Sequence, residues 1–392
     1  MVHTGLDGLV CEAFARLRGM PVGLVTHAAA VDRRVRPATD LLASAPGVDL
    51  VAVFGPEHGL SGQAQDLEAV THAATAAPAR RAYSLYGDTA ASLRPTAAQL
   101  AGIEALVIDL VDVGSRYYTF QATMKYCLEA AAPLGIRVVV LDRPNPLGGV
   151  AVEGPAVRPG CESFIGAHDI AIRHGLTIGE LATLYVAELG LDSAVLDVVR
   201  CEGWRRDSWF EDCRLPWVLP SPNMPTVDTA VVYPGQCLFE GTTLSEGRGT
   251  TRPFEICGAP WIDGESLARR LAAFDLPGVV FRPLTFRPTF HKHADIDCGG
   301  VQLHVTDRGV FRPVRAGLAL LAEMRRQDPG RFAWRTEPYE FVADPIAIDL
   351  LFGSDRERLA IEAGVDWMEI ATAWETEERA FDDRRRAAWL YD

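Results

Sequence analysis

Residues 239–255, FEGTTLSEGRGTTRPFE, contain the densest group of side chains that could do chemistry. The charged members are Glu240, Glu246, Arg248, Arg252 and Glu255. Glycines between them prevent a helix and let backbone amides turn toward a bound group. A solvated surface loop with a local ion pair is the alternative interpretation. Because sequence typical of a core flanks the segment on both sides, we favour a pocket.

Four continuous apolar runs predict the elements that position other polar residues. They are Pro21–Val25, Leu50–Phe54, Ala105–Leu110 and Arg137–Leu141. Such runs are typical of parallel strands buried on both faces, and helical patterns lie between them. The sequence therefore predicts an α/β fold with a Rossmann-like, doubly wound, mostly parallel sheet. We expect this domain to span residues 1–260 and a smaller α+β auxiliary domain to span 261–392.

Polar side chains follow the ends of these predicted strands. They include His27, Glu57, His58, Arg116, Tyr118, Asp142, Arg143 and Asn145. In open α/β sheets ligands bind outside the carboxyl ends of the strands, so these residues are candidates for one site. Any single one could instead stabilise a turn. The sequence lacks GxGxxG, GxxxxGK[ST] and GxSxG motifs, which argues against a dinucleotide, phosphate-loop or serine-hydrolase site.

The overall composition excludes several classes of protein. The formal net charge is −14 and no basic stripe is present, so we expect no nucleic-acid partner. No apolar run is long enough to cross a bilayer, and the first residues do not resemble a signal peptide. Eight scattered cysteines without a CxxC pair are typical of buried thiols. We therefore expect a cytoplasmic protein without a membrane partner, or an exported one if a leader has been removed.

Two further groups of residues have a less specific pattern. Tryptophans 204, 209 and 217 occur in a proline-rich stretch, where they could stack on a sugar or fill a core. His291, His293, Asp295 and Asp297 would share one face of a strand, as metal ligands can. A solvated strand edge is the preferred interpretation of that group, so we expect neither a metal nor another cofactor.

The candidate acids suit the cleavage of a glycosidic bond. That reaction needs one group to protonate the leaving oxygen and a second to stabilise or attack the oxocarbenium-like centre. Glu57, beside the apolar strand LVAVF, and Glu246 are the predicted catalytic pair. The surplus of arginines (Arg116, Arg143, Arg248 and Arg252) favours a substrate that carries its own carboxylate.

Several long motifs resemble one bacterial family. They are GPEHG (55–59), DVGSRYYTF (112–120), LDRPNPLGG (141–149), PSPNMPT (220–226), YPGQCLFEGTTLSEGRGTTRPFE (233–255) and CGGVQLHVTDR (298–308). With them the chain resembles the exo-β-N-acetylmuramidases of the NamZ type over nearly its whole length. The resemblance implies release of N-acetylmuramic acid from the non-reducing end of peptidoglycan fragments, with a muramyl-containing saccharide as the partner.

The resemblance also places residues in roles. It implies Glu57 and Glu246 as the acid candidates, with Glu240 in reserve. The predicted substrate-binding residues are His58, Arg116, Tyr118, Asp142, Arg143, Asn223, Glu240, Arg248 and Arg252. A non-catalytic binding protein for muramyl sugars and a metal-dependent amidase or deacetylase remain alternatives, and neither the oligomeric state nor the stereochemical course is predicted.

Overall fold

The computed structural model describes residues 1–65, 67–70 and 80–392. The strands of its larger sheet are β1 (Pro21–Thr26), β2 (Asp49–Gly55), β3 (Arg81–Ser84), β4 (Ala105–Asp109), β5 (Arg137–Leu141) and β6 (Leu196–Val199). All pair in parallel, in the order β3-β2-β1-β4-β5-β6. The predicted doubly wound sheet is confirmed, and β3 and β6 extend it beyond the four predicted strands.

Helices cover both faces of this sheet. They are α1 (Gly5–Cys11), α2 (Ala38–Ser44), α3 (Ala97–Leu100), α4 (Phe120–Ala131), α5 (Ile178–Glu188) and α6 (Phe210–Cys213). Leu106 and Val138 join the apolar core that contains α4 and α5, whereas the next residues, Val107 and Val139, join the core beneath α1 and α2. Burial of successive residues on opposite faces explains the continuous apolar runs.

The last third of the chain adds a smaller α+β unit. Its strands are β7 (Ile256–Ala259), β8 (Val279–Phe286) and β9 (Cys298–Val305), which form an antiparallel sheet in the order β7-β9-β8. Helix α7 (Val227–Gln236) precedes this unit. The helices of the unit are α8 (Gly264–Leu271), α9 (Pro313–Gln327), α10 (Ala347–Phe352), α11 (Arg356–Glu362), α12 (Trp367–Thr372) and α13 (Glu375–Arg385). The predicted second α+β unit is therefore present, and β7 already belongs to its sheet.

Helices α7 and α9 cross with their backbones in direct contact. A Cβ atom added to Gly235 would lie 1.9 Å from the Pro313 carbonyl oxygen, and one added to Gly317 would lie 2.3 Å from the Gly235 carbonyl oxygen. Only glycine permits such an approach. The contact fixes the end of α7, and with it the start of the glycine-rich segment, against the smaller unit.

None of the helices in the described ranges combines the length and the apolar character that a membrane span requires.

Candidate active site

A small cavity lies at the carboxyl ends of β2 and β4. Its polar lining is Glu57, His58, Tyr117, Tyr118, Thr119, Ser221, Asn223, Tyr233, Glu240, Arg248, Tyr339 and Glu340. The cavity volume is about 40 Å³, which is room for one water molecule or one substituent of a sugar. The structure thus brings together six of the predicted site residues, namely Glu57, His58, Tyr118, Asn223, Glu240 and Arg248.

Glu57 reaches this cavity from the loop that follows β2. Its side chain is almost fully buried, and the Thr119 hydroxyl, just before α4, donates to its Oε2 at 2.5 Å. Thr119 was quoted within a family motif but not predicted as a site residue. The position after a strand end was the signal that could have found it.

Glu240 accepts a hydrogen bond on each carboxylate oxygen. Arg248 Nη2 donates to Oε1 at 2.7 Å, and the Tyr339 hydroxyl donates to Oε2 at 2.5 Å. Burial, reinforced by the neighbouring Glu240 charge, raises the pKa of Tyr339 well above 10, so this hydroxyl stays a donor. Tyr339 and Glu340 come from a loop of the smaller unit, and no motif in the sequence pointed to them.

Three residues that line the cavity have left-handed backbone conformations without being glycine. The φ angles are 67° at His58, 63° at Phe254 and 48° at Glu340. Such conformations are costly for residues with a Cβ atom and concentrate at functional sites. At His58 the turn lets Nδ1 hydrogen-bond the Ala64 carbonyl oxygen at 2.9 Å, which orients the ring.

Tyr118 contributes a second phenol to the cavity wall. Burial raises its pKa well above 10, so the hydroxyl stays protonated over the whole physiological range. Asn223, which also lines the cavity, donates from Nδ2 to Gln65 Oε1 at 2.8 Å. The cavity therefore combines carboxylates with neutral donors and one guanidinium, a set that can bind a polar, oxygen-rich ligand.

Glu246 lies outside the cavity lining, in an ion cluster. Its carboxylate is fully buried and contacts Lys292 Nζ at 2.8 Å, His291 Nδ1 at 3.2 Å and Arg248 Nε at 3.4 Å. Burial alone would raise the pKa of Glu246, but the charges of Lys292 and its neighbours outweigh burial and hold the pKa far below 4.5. A carboxylate held ionised in this way is poorly suited to donate a proton to a leaving group, so the structure favours Glu57 over Glu246 as the acid.

Arg116 also departs from its predicted role in binding substrate. Its side chain is completely buried, and its guanidinium donates to the carbonyl oxygens of Pro155, Ile170, Leu351 and Phe352. Burial lowers the pKa of Arg116 to about 10. Since two of the acceptors belong to α10, Arg116 joins the larger sheet to the smaller unit.

The remaining predicted binding residues also lie outside the cavity. Asp142 is buried and accepts from Gly179 N at 2.7 Å and from Thr177 Oγ1 at 2.9 Å. Arg143 forms a buried ion pair with Asp109 at 2.5 Å. Arg252 is half exposed and pairs with Glu255 at 3.1 Å. Each of these side chains binds a residue that is close in space, and the sequence spacing does not reveal that partner.

The histidine–aspartate group is not a strand face, so that expectation was wrong. It precedes β9, and its backbone is left-handed at His291, His293 and Asp295, with φ angles of 68°, 57° and 61°. The side chains diverge: His293 contacts the Thr243 carbonyl oxygen, and Asp297 pairs with Arg287. In the parts of the chain that the structure describes, no group of three or more His, Cys, Asp or Glu residues could hold a metal ion.

The fold and the site define an α/β protein with a carboxylate-lined cavity at the strand ends, where open parallel sheets bind ligands. Two family models match the chain: the N-terminal domain of the exo-β-N-acetylmuramidase NamZ over residues 22–228, and its C-terminal domain over residues 231–391. The chain belongs to this NamZ family.

Individual relatives agree with that assignment. The chain is 42% identical to the peptidoglycan β-N-acetylmuramidase NamZ of Bacillus subtilis (strain 168), over all of this chain and 91% of the relative. Two crystal structures of DUF1343 family proteins from Bacteroides fragilis cover all of this chain and 99% of theirs. Their TM-scores are 0.91 and 0.78, at 32% and 26% identity.

Proposed function

We propose that this chain is an exo-β-N-acetylmuramidase that releases N-acetylmuramic acid from the non-reducing end of peptidoglycan fragments. The observation that carries the proposal is the convergence of Glu57, Glu240 and Arg248 on one cavity in a chain of the NamZ family. The full-length match to the muramidase of Bacillus subtilis supports the same activity.

In this proposal Glu57 is the proton donor to the glycosidic oxygen. A general acid must be withdrawn from water and held in one orientation. Glu57 meets both conditions, since its side chain is 6% exposed and the Thr119 hydroxyl binds one oxygen of its carboxyl group. Glu240 then supplies the negative charge that stabilises the oxocarbenium-like centre, in place of Glu246.

Arg248 is the proposed anchor for the lactyl carboxylate of the muramyl sugar. It lines the cavity, whereas Arg252 does not. A guanidinium carries five N–H donors, so one arginine can bind both Glu240 and a substrate carboxylate. Its bond to Glu240 also fixes the orientation of the guanidinium before substrate arrives.

The test is hydrolysis of a disaccharide with N-acetylmuramic acid at its non-reducing end, followed by chromatography of the products. We expect two monosaccharides, with equal rates in the presence and absence of EDTA. The same disaccharide with N-acetylglucosamine at that end is the control and should be cleaved far more slowly. Binding without cleavage would favour a sugar-binding protein, and activity lost in EDTA and restored by a divalent ion would favour a metal-dependent enzyme.

The cytoplasmic location stays a prediction. The eight cysteines are free thiols, and seven of them are buried. That usage is compatible with a reducing compartment, where the enzyme would act on recovered fragments.

A further inference from the structure

A second and much larger cavity lies between the two units, and it shares no lining residue with the carboxylate cavity. Its volume is about 690 Å³, within the range of sites for small molecules. Its walls come from the loops after β5 and β6, the start of α9 and the helix α13. Six arginines line it, namely Arg173, Arg206, Arg308, Arg312, Arg315 and Arg379, in a chain whose net charge is −14.

Half of these arginines are neutralised by carboxylates. Arg206 pairs with Glu180, Arg308 with Glu211 and Asp228, and Arg315 with Glu378. Four acids also line the cavity. Glu378 is paired as described, Asp382 pairs with Arg385 and Arg386, Asp207 pairs with Arg205, and the charge of Glu375 acts on Arg315. The Arg308–Glu211 pair joins the two units, whereas the Arg206–Glu180 pair lies within the larger unit and the Arg315–Glu378 pair within the smaller one. All three arginines therefore have structural partners.

The other three arginines, Arg173, Arg312 and Arg379, form no ion pair with a carboxylate in the described chain. Arg379 donates from Nε to the Glu375 carbonyl oxygen at 3.1 Å. Arg173 is buried, donates from Nη2 to the Leu147 carbonyl oxygen at 2.8 Å, and has no hydrogen-bond partner at Nε. Among the described residues, the Arg312 guanidinium donates one hydrogen bond, to the carbonyl oxygen of its neighbour Phe311 at 3.4 Å. A buried donor without a partner is costly unless a ligand satisfies it.

The Arg173 and Arg312 guanidiniums line the same cavity and repel each other. Burial lowers the pKa of Arg173 to about 10; the charge of buried Glu153 opposes this lowering, and the charges of Arg312 and Arg385 add to it. Glu153 is shared with Arg315, and an anion between Arg173 and Arg312 would reduce the repulsion that remains between these two guanidiniums.

Trp209 limits how the arginines can move. Its ring centroid lies 5.4 Å from the Arg173 guanidinium carbon and 5.7 Å from that of Arg308. Cation–π contacts at these distances hold a guanidinium in a chosen orientation. The cavity therefore presents Arg173 in a fixed position and Arg312 as a second cation at its side.

We propose that this cavity is a second binding site, which takes the oxyanion group, phosphate or carboxylate, of a small soluble molecule between Arg173 and Arg312. Guanidiniums bind both groups through paired N–H donors, so the shared chemistry is an oxyanion with two acceptor oxygens. The site is independent of the muramidase activity proposed above.

Isothermal titration of the full chain at low ionic strength, with inorganic phosphate and separately with citrate, tests the proposal. We expect saturable binding of one anion per chain. If phosphate binds more tightly than citrate, the site is a phosphate site; if citrate binds more tightly, it is a carboxylate site. Arg312→Gln should weaken binding about 10-fold or more, as expected for one lost charge-assisted contact. Arg282→Gln, which removes the same charge from an exposed position on β8, is the matched control and should bind as the unaltered protein does.

Arg312→Gln removes no ion pair, so its melting temperature without ligand should match that of the unaltered chain. A direct location of the anion does not depend on any variant: crystals grown with selenate should show the selenium anomalous peak between Arg173 and Arg312. No saturable binding, equal loss in both variants, or a selenium peak only elsewhere would overturn the proposal. Muramidase assays of the same samples report separately on the other cavity.

Discussion

The hydroxyl of Tyr339 lies 2.5 Å from Oε2 of Glu240, across 99 positions of the chain. The bond joins a loop of the smaller unit to the glycine-rich segment. Because Arg248 binds the other oxygen of Glu240, the carboxylate is held from both sides. The candidate site is therefore complete only when both units are folded together.

Replacing Tyr339 by Phe should lower turnover of the muramyl substrate about 10-fold. The change removes one donor from Glu240 and leaves a buried carboxylate oxygen unsatisfied, at a cost of about 1–3 kcal/mol. Steady-state kinetics and thermal unfolding measure both effects. Tyr126→Phe is the control, since that phenol stacks on Phe164 away from Glu240. Unchanged kinetics in Tyr339→Phe would show that the Tyr339 bond to Glu240 is not needed for turnover.

Replacing Glu57 by Gln should abolish most activity while preserving the fold. The amide keeps the shape of the side chain and its hydrogen bond with Thr119, but it cannot deliver a proton. We expect kcat to fall by about 10²–10⁴, the usual contribution of a general acid. A melting temperature equal to that of the unaltered chain establishes that only the chemistry is lost. Activity within a few-fold of the unaltered chain would exclude Glu57 as the acid.

Replacing Glu246 by Gln should act on stability. The buried Glu246 carboxylate neutralises the positive charge of Lys292 and its neighbours. Without the carboxylate, these groups have no counter-charge. We expect unfolding to become easier by about 3 kcal/mol, as for other broken buried ion pairs. Urea denaturation measures this effect. If the variant kept full stability but lost all turnover, the catalytic role for Glu246 would have to be restored.

His27 should make the protein sensitive to mild acid. Burial, with contributions from the Arg143 and His58 charges, lowers its pKa from 6.5 to about 3, and its Nε2 accepts from Val111 N at 3.1 Å. Because the folded pKa is depressed, the unfolded state takes up the proton first as pH falls. The stabilisation is thus complete above about pH 6.5 and is lost progressively toward pH 3.

Thermal unfolding between pH 7.5 and pH 4 measures this loss. His27→Gln retains an acceptor for Val111 N and cannot titrate, so its melting temperature should fall less steeply over this interval. His168→Gln is the control, because His168 lies near the surface beside Glu188. Parallel curves for the unaltered chain and His27→Gln would contradict the assignment.

Replacing Arg248 by Ala should discriminate between substrates. If Arg248 binds the lactyl carboxylate, kcat/KM for the muramyl substrate should fall roughly 10- to 150-fold, the equivalent of about 1.5–3 kcal/mol. Any residual cleavage of an N-acetylglucosaminyl analogue should hardly change. Arg252→Ala, which removes a cation outside the cavity, should leave both rates intact. An equal loss on both substrates, with a lower melting temperature, would make Arg248 a structural partner of Glu240.

Much of the fold could be predicted because burial on both faces of a parallel sheet imposes continuous apolar runs. Strands β3 (RAYS) and β6 (LDVV) escaped prediction because they are short, lie at the sheet edges and are only partly buried. Strand ends located Glu57, His58 and Tyr118 correctly at the cavity wall.

Partners that come from distant parts of the chain could not be predicted. Lys292 meets Glu246 across 46 positions, and the carbonyl oxygens of Leu351 and Phe352 meet Arg116 across more than 200. Spacing within a motif does not report such contacts. The residues around a glutamate therefore do not show whether its carboxylate is catalytic or forms a buried ion pair.

The contact between Gly235 and Gly317 has a consequence for engineering by domain exchange. Since the two helices touch through their backbones there, no side chain can change its conformation to accommodate a helix from another protein. A chimera that joins the larger unit of one family member to the smaller unit of another should work only if α7 and α9 are transplanted as a pair. Because loops of both units line the candidate site, we expect the substrate preference of such a chimera to depend on both parent proteins.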